Sequence, residues 1–208
     1  MKHLSLILII LILSCCPLHP AYAFFDKDIR LLTMRDGLAD NTIPCIYKDE
    51  DGFMWFGTDN GLSRYDGKTI QNFKPANTYV SIAAIVRLSD DFLGIVSDGY
   101  LYYFNRKRET FLPIHTESDT AIGVFNVLPA DDSSFWGISG NRLILCQWEI
   151  QQGKEEEKTA VRVRIQKTFQ LLEEKGEVFS SLCYHEKAGS GIWLTTNRGN
   201  LILFHPDT

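Results

Sequence analysis

Short apolar runs alternate with polar turns along the chain from about residue 41. Four segments share one plan over eleven residues: an apolar run, a polar turn, and a large apolar residue that begins a second run. The four segments span residues 45–55, 83–93, 126–136 and 183–193. Runs of this kind, bounded by turn residues, are typical of β-strands. The pattern therefore predicts an all-β chain built from one repeated unit.

A second turn follows the large apolar residue in each segment. These turns are rich in Gly, Asn and Asp, which accept the positive φ angles of tight hairpins. Each turn leads into a third run whose leading apolar residues are Leu62, Leu101, Leu143 and Leu201. A fourth run follows in three segments, at residues 69–73, 111–114 and 161–165. Each segment therefore predicts a small antiparallel sheet, and the alternation at 161–165 indicates a strand with one face in water.

The segment ends at positions 55, 93, 136 and 193 are 38, 43 and 57 residues apart. A four-stranded propeller blade takes about 40–45 residues, and a charged insert at residues 151–159 accounts for the longest spacing. A β-sandwich gives no reason to repeat one large side chain in every unit, whereas radially stacked sheets do. We therefore predict an all-β fold: a β-propeller with four blade-like four-stranded antiparallel units at about 41–75, 79–115, 121–170 and 178–208.

Two arrangements of these blades stay open. Residues 24–208 could form an incomplete arc of a larger propeller, or residues 29–33 could supply a fourth strand to the last blade and close a small ring. We favour the incomplete arc, because a channel formed by four blades leaves little room for blades of uneven length. In either arrangement, Trp55, Trp136 and Trp193 are expected to pack between neighbouring sheets.

The first 23 residues have the order of a secretory signal peptide. Lys2 precedes the apolar residues 4–13, and Ala21-Tyr22-Ala23 supplies a small-residue cleavage signal. The apolar run is about half the length needed to span a bilayer. We therefore predict a periplasmic protein with no transmembrane segment in its mature chain. An alternative is a lipoprotein signal, with the chain anchored through an acylated Cys15.

The charge balance disfavours nucleic acid as a partner, since removing the leader leaves 20 basic and 26 acidic residues. The cluster Arg106-Lys107-Arg108 lies between two predicted strands and suggests a solvated turn. Cys45, Cys146 and Cys183 lie in apolar runs without a CxxC pair, which favours three free core cysteines over one disulfide. The carboxylates lie mostly in turns and the histidines lack spaced partners, so we expect no metal, cofactor or catalytic residues.

One stretch carries a denser motif than the rest. It comprises residues 31–38 (LLTMRDGL), 41–43 (NTI), 49–58 (DEDGFMWFGT), 60–62 (NGL) and 64–67 (RYDG). This stretch closely resembles the two-component regulator propeller repeat. The residues assigned to the motif are Asp49, Gly52, Trp55, Gly57, Thr58, Gly61, Leu62, Tyr65, Asp66 and Gly67, with Trp136 and Trp193 as later counterparts.

We expect these motif residues to be structural. Gly52, Gly61 and Gly67 relieve three turns of the Cβ penalty, and the Thr58 hydroxyl can cap a turn. Trp55 and Tyr65 together are expected to fill the gap between sheets.

The resemblance implies a sensor upstream of a histidine kinase. Proteins of this type recognise oligosaccharides in the periplasm and signal to kinase domains, which would lie outside this chain. The implied partners are an oligosaccharide and other propeller blades or domains of the full-length sensor. Alternative functions are a stand-alone exported scaffold that binds proteins and, less favoured, a glycan-active enzyme. The sequence does not identify the ligand or the loops that would bind it.

Overall fold

A computed structural model of the chain describes residues 29–74, 80–116, 122–151, 160–185 and 191–206. The predicted leader with Cys15 and most of the charged insert lie outside these ranges. The chain divides into two compact units, Met1–Leu31 and Leu32–Thr208, and the blades belong to the second. No helix in the described ranges is long and apolar enough to cross a membrane.

Strands account for most of the described residues, and a short 3-10 helix (Met34–Asp36) precedes them. The first blade contains β1 (Cys45–Lys48), β2 (Met54–Thr58), β3 (Gly61–Tyr65) and β4 (Ile70–Phe73). The second contains β5 (Ile82–Arg87), β6 (Phe92–Ser97), β7 (Tyr100–Asn105) and β8 (Thr110–Pro113). The third contains β9 (His115–Thr116), β10 (Asn126–Pro129), β11 (Ser134–Ser139), β12 (Arg142–Gln151) and β13 (Ala160–Gln170). The fourth contains β14 (Phe179–Tyr184), β15 (Ile192–Thr196) and β16 (Leu201–Phe204).

The four sheets stack in chain order, and their first strands lie closest to one another. Strand β5 contacts both β1 and β10, and β10 contacts β14. Apart from β9, consecutive strands within each blade pair antiparallel. This arrangement confirms the predicted β-propeller with four blades.

Each sheet has a front face towards the following blade and a back face towards the preceding one. Apolar clusters fill the space between the sheets. The first joins Trp55 and Leu62 to Leu93, Ile95 and Phe104; the second joins Val86 and Val96 to Phe135, Cys146 and Trp148; the third joins Trp136 and Leu143 to Ile192 and Leu194. Burial of apolar area between sheets therefore holds successive blades together.

The third and fourth blades depart from four antiparallel strands. Strand β9 comes from the connection between the second and third blades and pairs parallel to β13. The fourth sheet has three described strands in the order β14-β15-β16. Residues 29–33, considered above as a closing strand, contain no strand.

In the second blade, the residue in register with Trp55 is Gly94, so the assignment of Leu93 to this position is wrong. The Phe53 carbonyl closes the first turn of blade one, and the Phe92 carbonyl closes the same turn in blade two. Gly94 therefore matches Trp55, two residues further along each strand. A shift of one residue reverses the face that a side chain occupies. Accordingly, Leu93 lies on the back face and packs in the cluster that contains Trp55.

The three cysteines are free, as predicted, but they do not share one environment. Cys146 is buried between blades two and three, Cys45 is half-buried, and Cys183 is exposed. The prediction of three core cysteines is therefore wrong for Cys183, which lies on the front face of blade four opposite Trp193.

Candidate functional site

Asp49 is the most enclosed carboxylate of the repeat motif. It follows β1 at the first turn of blade one and is 6% exposed. Its Oδ1 accepts the backbone N–H of Phe53 at 2.8 Å, and its Oδ2 accepts the indole N–H of Trp55 at 2.7 Å. These bonds hold the turn closed and fix the indole of Trp55, which is fully buried.

Arg106 reaches Asp49 from the neighbouring blade. It lies in the turn between β7 and β8, and its guanidinium donates to Asp49 Oδ2 at 2.8 Å and to the carboxylate of Asp51. The same guanidinium donates to the Asp90 carbonyl at 2.7 Å, while its buried Nε–H has no hydrogen-bond partner within the described part of the chain. The expectation of a solvated turn is therefore wrong for Arg106, which joins blades one and two.

Arg64 makes a second contact between these blades. Its guanidinium lies 5.1 to 5.5 Å from the ring centroids of Phe53, Trp55 and Phe73. It also forms an ion pair with Glu109 of blade two at 3.1 Å. Arg64 thereby covers the apolar cluster while keeping its charge partly in water.

The other motif residues shape turns and close contacts. Gly52, Gly61 and Gly67 have φ angles of 90°, 112° and 96°, as expected for turn glycines. The Thr58 hydroxyl donates to the Gly61 carbonyl at 2.8 Å, as the capping hypothesis requires. Leu62 is fully buried on the front face of blade one.

Asp66 and Tyr65 hold the third turn of blade one. Hydrogen bonds from the backbone N–H groups of Thr69 and Lys68, and from the Thr69 hydroxyl, lower the pKa of the Asp66 carboxyl to about 2. The Tyr65 hydroxyl donates to the Gly67 carbonyl at 2.6 Å. Tyr65 pairs with Met54 across the strands and so lies on the face opposite Trp55. The prediction that Tyr65 and Trp55 fill one gap together is therefore wrong.

Trp136 and Trp193 occupy the positions equivalent to Trp55 in blades three and four. Trp136 is buried between these blades, whereas Trp193 is half-buried on the front face of blade four. The Trp193 indole N–H donates to Nδ1 of His185 at 2.8 Å. His185 directly follows β14, as Asp49 directly follows β1. Its ring nitrogen therefore replaces the Asp49 carboxylate as the acceptor of the indole N–H.

A group of exposed aromatic residues lies on the rim formed by the second turns and the connections between blades. We call it the aromatic rim and define it by Asp98, Gly99, Tyr100, Gly123 and Phe125. Tyr100 is 53% exposed and Phe125 is 57% exposed. The Phe125 ring lies beside Gly99, where a Cβ would sit 3.5 Å from it. The aromatic rim therefore presents apolar ring surface to solvent beside the exposed Asp98.

Left-handed backbone conformations and a side-chain hydrogen bond shape the aromatic rim. Asp98, Gly99 and Gly123 have φ angles of 50°, 81° and 64°, and Ser139 at the end of β11 donates to the Ile122 carbonyl at 3.0 Å. Neither Tyr100 nor Phe125 belongs to a motif that the sequence reveals. The sequence feature that could have indicated them is an aromatic residue directly before or after a turn, outside the alternation of apolar and polar positions that predicts burial.

A polar groove lies along the long hairpin of blade three. It has a volume of about 440 Å³ and is lined mainly by Gln147, Glu149, Gln151, Arg162 and Arg164. Among the described residues, no three His, Cys, Asp or Glu side chains are grouped so that they could hold a metal ion. The side chains that line the groove offer hydrogen bonds and charge to a ligand.

The fold resembles propellers of known structure. The extracellular domain of BT4673 from B. thetaiotaomicron, assigned to the hybrid two-component systems, matches with a TM-score of 0.53 and 17% identity over 84% of this chain and 23% of that one. The corresponding domain of BT3049 from the same organism gives 0.51 and 14%, over 86% and 30%. YCF48 from Cyanidioschyzon merolae gives 0.53 and 15%, over 82% and 53%. At these identities, the likeness concerns the fold, and this chain spans less than a third of the two extracellular domains from B. thetaiotaomicron.

No curated protein sequence matches the chain. The family described as "Two component regulator propeller" matches residues 37–60, which include the Asp49 turn, Trp55 and Thr58. This match confirms the resemblance identified from the motif. Residues 37–60 are similar to the two-component regulator propeller repeat, and the chain that contains them is a β-propeller.

Proposed function

We propose that this chain is the ligand-sensing propeller region of an exported hybrid two-component regulator. In this proposal, the leader at residues 1–23 directs the chain to the periplasm, where the blades recognise an oligosaccharide. The kinase domains that receive the signal would lie outside these 208 residues. The chain itself would bind and would carry no catalytic step. The repeat at residues 37–60 supports the assignment to sensors of this class.

The aromatic rim supports an oligosaccharide as the ligand, and it is the observation on which this part of the proposal depends. Sugar rings have an apolar face of C–H groups and a periphery of hydroxyls, which suits an aromatic ring with polar groups beside it. Phe125 and Tyr100 supply exposed rings, and the exposed Asp98 supplies a carboxylate in the turn that precedes Tyr100.

The proposal is tested by thermal shift of the purified chain against a panel of neutral and acidic oligosaccharides. A ligand that binds only the folded chain raises its melting temperature, and the added stability grows with the logarithm of ligand concentration over the dissociation constant. We expect at least one oligosaccharide to raise the melting temperature, and Phe125→Ala to weaken its binding about tenfold or more. Isothermal titration with the same ligand gives the dissociation constants.

Leu112→Ala is the matched control, since Leu112 is an exposed apolar residue on the outer strand of blade two. It should bind as the unchanged chain does. If no oligosaccharide changes the melting temperature, direct sensing by this chain is contradicted. If an oligosaccharide binds equally well to Phe125→Ala, the ligand lies elsewhere, and Arg162→Gln in the polar groove is then the variant to measure.

A further inference from the structure

The long hairpin of blade three carries two arginines side by side on one face. Side chains alternate along β13, so Val161 and Val163 are buried against blade two while Arg162 and Arg164 are exposed on the other face. Alternate residues of a strand lie about 7 Å apart on the same face. Two guanidinium groups therefore lie next to each other along the polar groove.

The opposite strand of the hairpin supplies amides and a single carboxylate. In the register of the hairpin, Glu149 lies opposite Arg162 and Gln147 lies opposite Arg164. Gln151 completes this side of the groove. The groove is therefore lined by two positive charges and one negative charge, which leaves an excess of one positive charge.

Arg162 keeps its hydrogen-bonding groups for a ligand. Although Glu149 is its neighbour across the strands, neither side chain forms an ion pair or a hydrogen bond with another described residue. The amide oxygen of Gln147 accepts from the Gln166 side chain at 2.7 Å, so the group that Gln147 can offer to a ligand is its NH₂ donor.

The backbone beneath the groove is held from behind and from the side. Trp148 and Val163 alternate with the groove residues and are buried between blades two and three. The Trp148 indole N–H donates to the Leu88 carbonyl at 3.2 Å, and β9 pairs with the outer side of β13. The strands that carry the arginines therefore need little ordering when a ligand binds.

We propose that the polar groove binds the anionic group of an acidic sugar, either a uronic acid or a sulfate ester. Arginine donates parallel hydrogen bonds to a carboxylate and binds other oxyanions through the same planar fork of donors. A single negative charge matches the excess charge of the groove, and the amides and Glu149 can bond to sugar hydroxyls. The volume of about 440 Å³ suits one or two sugar rings.

The polar groove is a different site from the aromatic rim. It lies along the hairpin next to the first turn of blade three, where the Trp148 N–H donates to the Ser133 carbonyl, whereas the rim lies at the second turns. The choice of a sugar as the carrier of the charge rests on the proposed function. The positions of the arginines do not depend on it.

The test is isothermal titration at constant ionic strength with three disaccharides of one size: a neutral one, its counterpart with a terminal uronic acid, and its counterpart with one sulfate ester. One of the acidic disaccharides should bind about tenfold or more tightly than the neutral one, and the tighter of the two identifies the anionic group. Arg162→Gln and Arg164→Gln should each remove most of this preference, because hydrogen bonds to charged groups are the stronger ones.

Glu149→Gln should act in the opposite direction. Removing this carboxylate should tighten binding of the acidic disaccharide about two- to threefold, as expected for two charges about 7 Å apart in water. Loss of folding cannot produce such a gain. Arg142→Gln is the matched control, since it removes a guanidinium at the far end of β12, where Arg142 donates to Gln170, and it should leave the preference unchanged.

Phe125→Ala separates this proposal from the proposed function. It should weaken binding of the neutral disaccharide at the aromatic rim and leave that of the acidic disaccharide unchanged. If it changes neither while Arg162→Gln abolishes the preference, the groove is supported and the role of the rim is contradicted. Equal affinity of the unchanged chain for all three disaccharides overturns the proposal for the groove, as does a preference that Arg162→Gln and Arg164→Gln leave intact.

Discussion

The interface between blades one and two and the interface between blades two and three join similar sheets by different means. At the first, charged side chains surround an aromatic cluster: Arg106 bonds to Asp49 and Asp51, and Arg64 pairs with Glu109. At the second, apolar residues dominate, and Gly94 stands where Trp55 stands in blade one.

Each interface nevertheless holds one buried tryptophan whose indole N–H is satisfied. In blade one, Trp55 comes from the front face and donates to the Asp49 carboxylate. At the second interface, Trp148 comes from the back face of blade three and donates to the Leu88 carbonyl at 3.2 Å. Leu88 is the residue in register with Asp49. At both interfaces, a large ring meets an acceptor at this place, and either sheet can supply the ring.

Among the variants that compare these interfaces, the one that lacks Arg106 should lose the most stability. Arg106→Met leaves Asp49 buried without its cation, and breaking one partner of a buried pair costs about 3–5 kcal/mol. We expect a loss of stability near the lower end of that range, because the partner Asp51 is exposed. Urea unfolding measures the change.

The double variant Asp49→Leu/Arg106→Met sharpens this result. Replacing both charges by apolar side chains removes the uncompensated carboxylate, so part of the lost stability should return. The Trp55 indole then loses its acceptor, and full recovery is not expected. An Arg106→Met variant as stable as the unchanged chain would contradict the role assigned to this ion pair.

Removing the indole N–H compares the two tryptophans directly. Trp55→Phe takes a donor from a buried carboxylate, whereas Trp148→Phe takes one from a backbone carbonyl. Hydrogen bonds to charged groups contribute about 1.5–3 kcal/mol, and those between neutral groups about 0.5–1.5 kcal/mol. We expect Trp55→Phe to be the more destabilising by about 1 kcal/mol in thermal or urea unfolding. Equal losses would show that the lost ring volume, and not the acceptor, determines the effect.

Two glycines test how tightly each interface is packed. A Cβ at Gly57 would lie 2.4 Å from Cys45 Sγ and 2.9 Å from the Ile82 carbonyl oxygen. A Cβ at Gly137 meets Val124 at 3.1 Å, a side chain that can yield slightly. Gly57→Ala should therefore cost about 1–3 kcal/mol, and Gly137→Ala less than about 1 kcal/mol. If the melting temperatures fall in the reverse order, the first interface is looser than its contacts indicate.

Thiol alkylation compares the two interfaces at individual cysteines, and it should show the smallest effect. Burial raises the pKa of the Cys45 thiol to about 11 and that of Cys146 to about 12. At pH 8, iodoacetamide should modify the exposed Cys183 first, as peptide mass spectrometry can show. As the pH rises, Cys45 should react before Cys146. Early modification of Cys146 would mean that the second interface opens more readily than the first.

The raised pKa values of the Cys45 and Cys146 thiols also make the stability of the chain depend on pH. The thiols keep their protons in the folded chain to a higher pH than in the unfolded chain, where the pKa is about 8.5. Their contribution is therefore complete below that pH and is lost as the pH rises towards the folded values. Serine at either buried position should reduce this alkaline loss, which urea unfolding at pH 8 and pH 10 would measure.

The turns and the blade plan could be predicted from sequence because they depend on local chemistry. Gly52, Gly61 and Gly67 have the positive φ angles that their turns require. The alternation from 161 to 165 places Val161 and Val163 in the core and both intervening arginines in solvent. These features depend only on neighbours in the chain.

Register was harder to predict, because an ungapped repeat assumes turns of equal length. Cys45 and Cys183 both precede a tryptophan by ten residues, but Cys45 pairs with Gly57 and Cys183 pairs with Trp193. The first turn of blade four is longer than that of blade one, so equal spacing hides a shift. Leu93 was assigned wrongly for another reason: a large apolar residue was expected at this position, where blade two has Gly94.

No local sequence pattern indicates the ion pair of Arg106 with Asp49. The two residues lie 57 positions apart and meet because two sheets stack. Each also has an ordinary local explanation, as a turn carboxylate and as part of a basic turn. The aromatic rim was missed for a related reason, since its residues come from two different blades.

The parallel pairing of β9 with β13 has a consequence for the outer edge of blade three. A last strand with unpaired N–H and C=O groups is a template for any extended peptide, including another unfolded chain. The backbone of His115 and Thr116 occupies part of that template, opposite Arg162 and Val163. The connecting segment thus protects the long hairpin of blade three from pairing with foreign strands. Blades two and three can separate only after the pairing of β9 with β13 is broken.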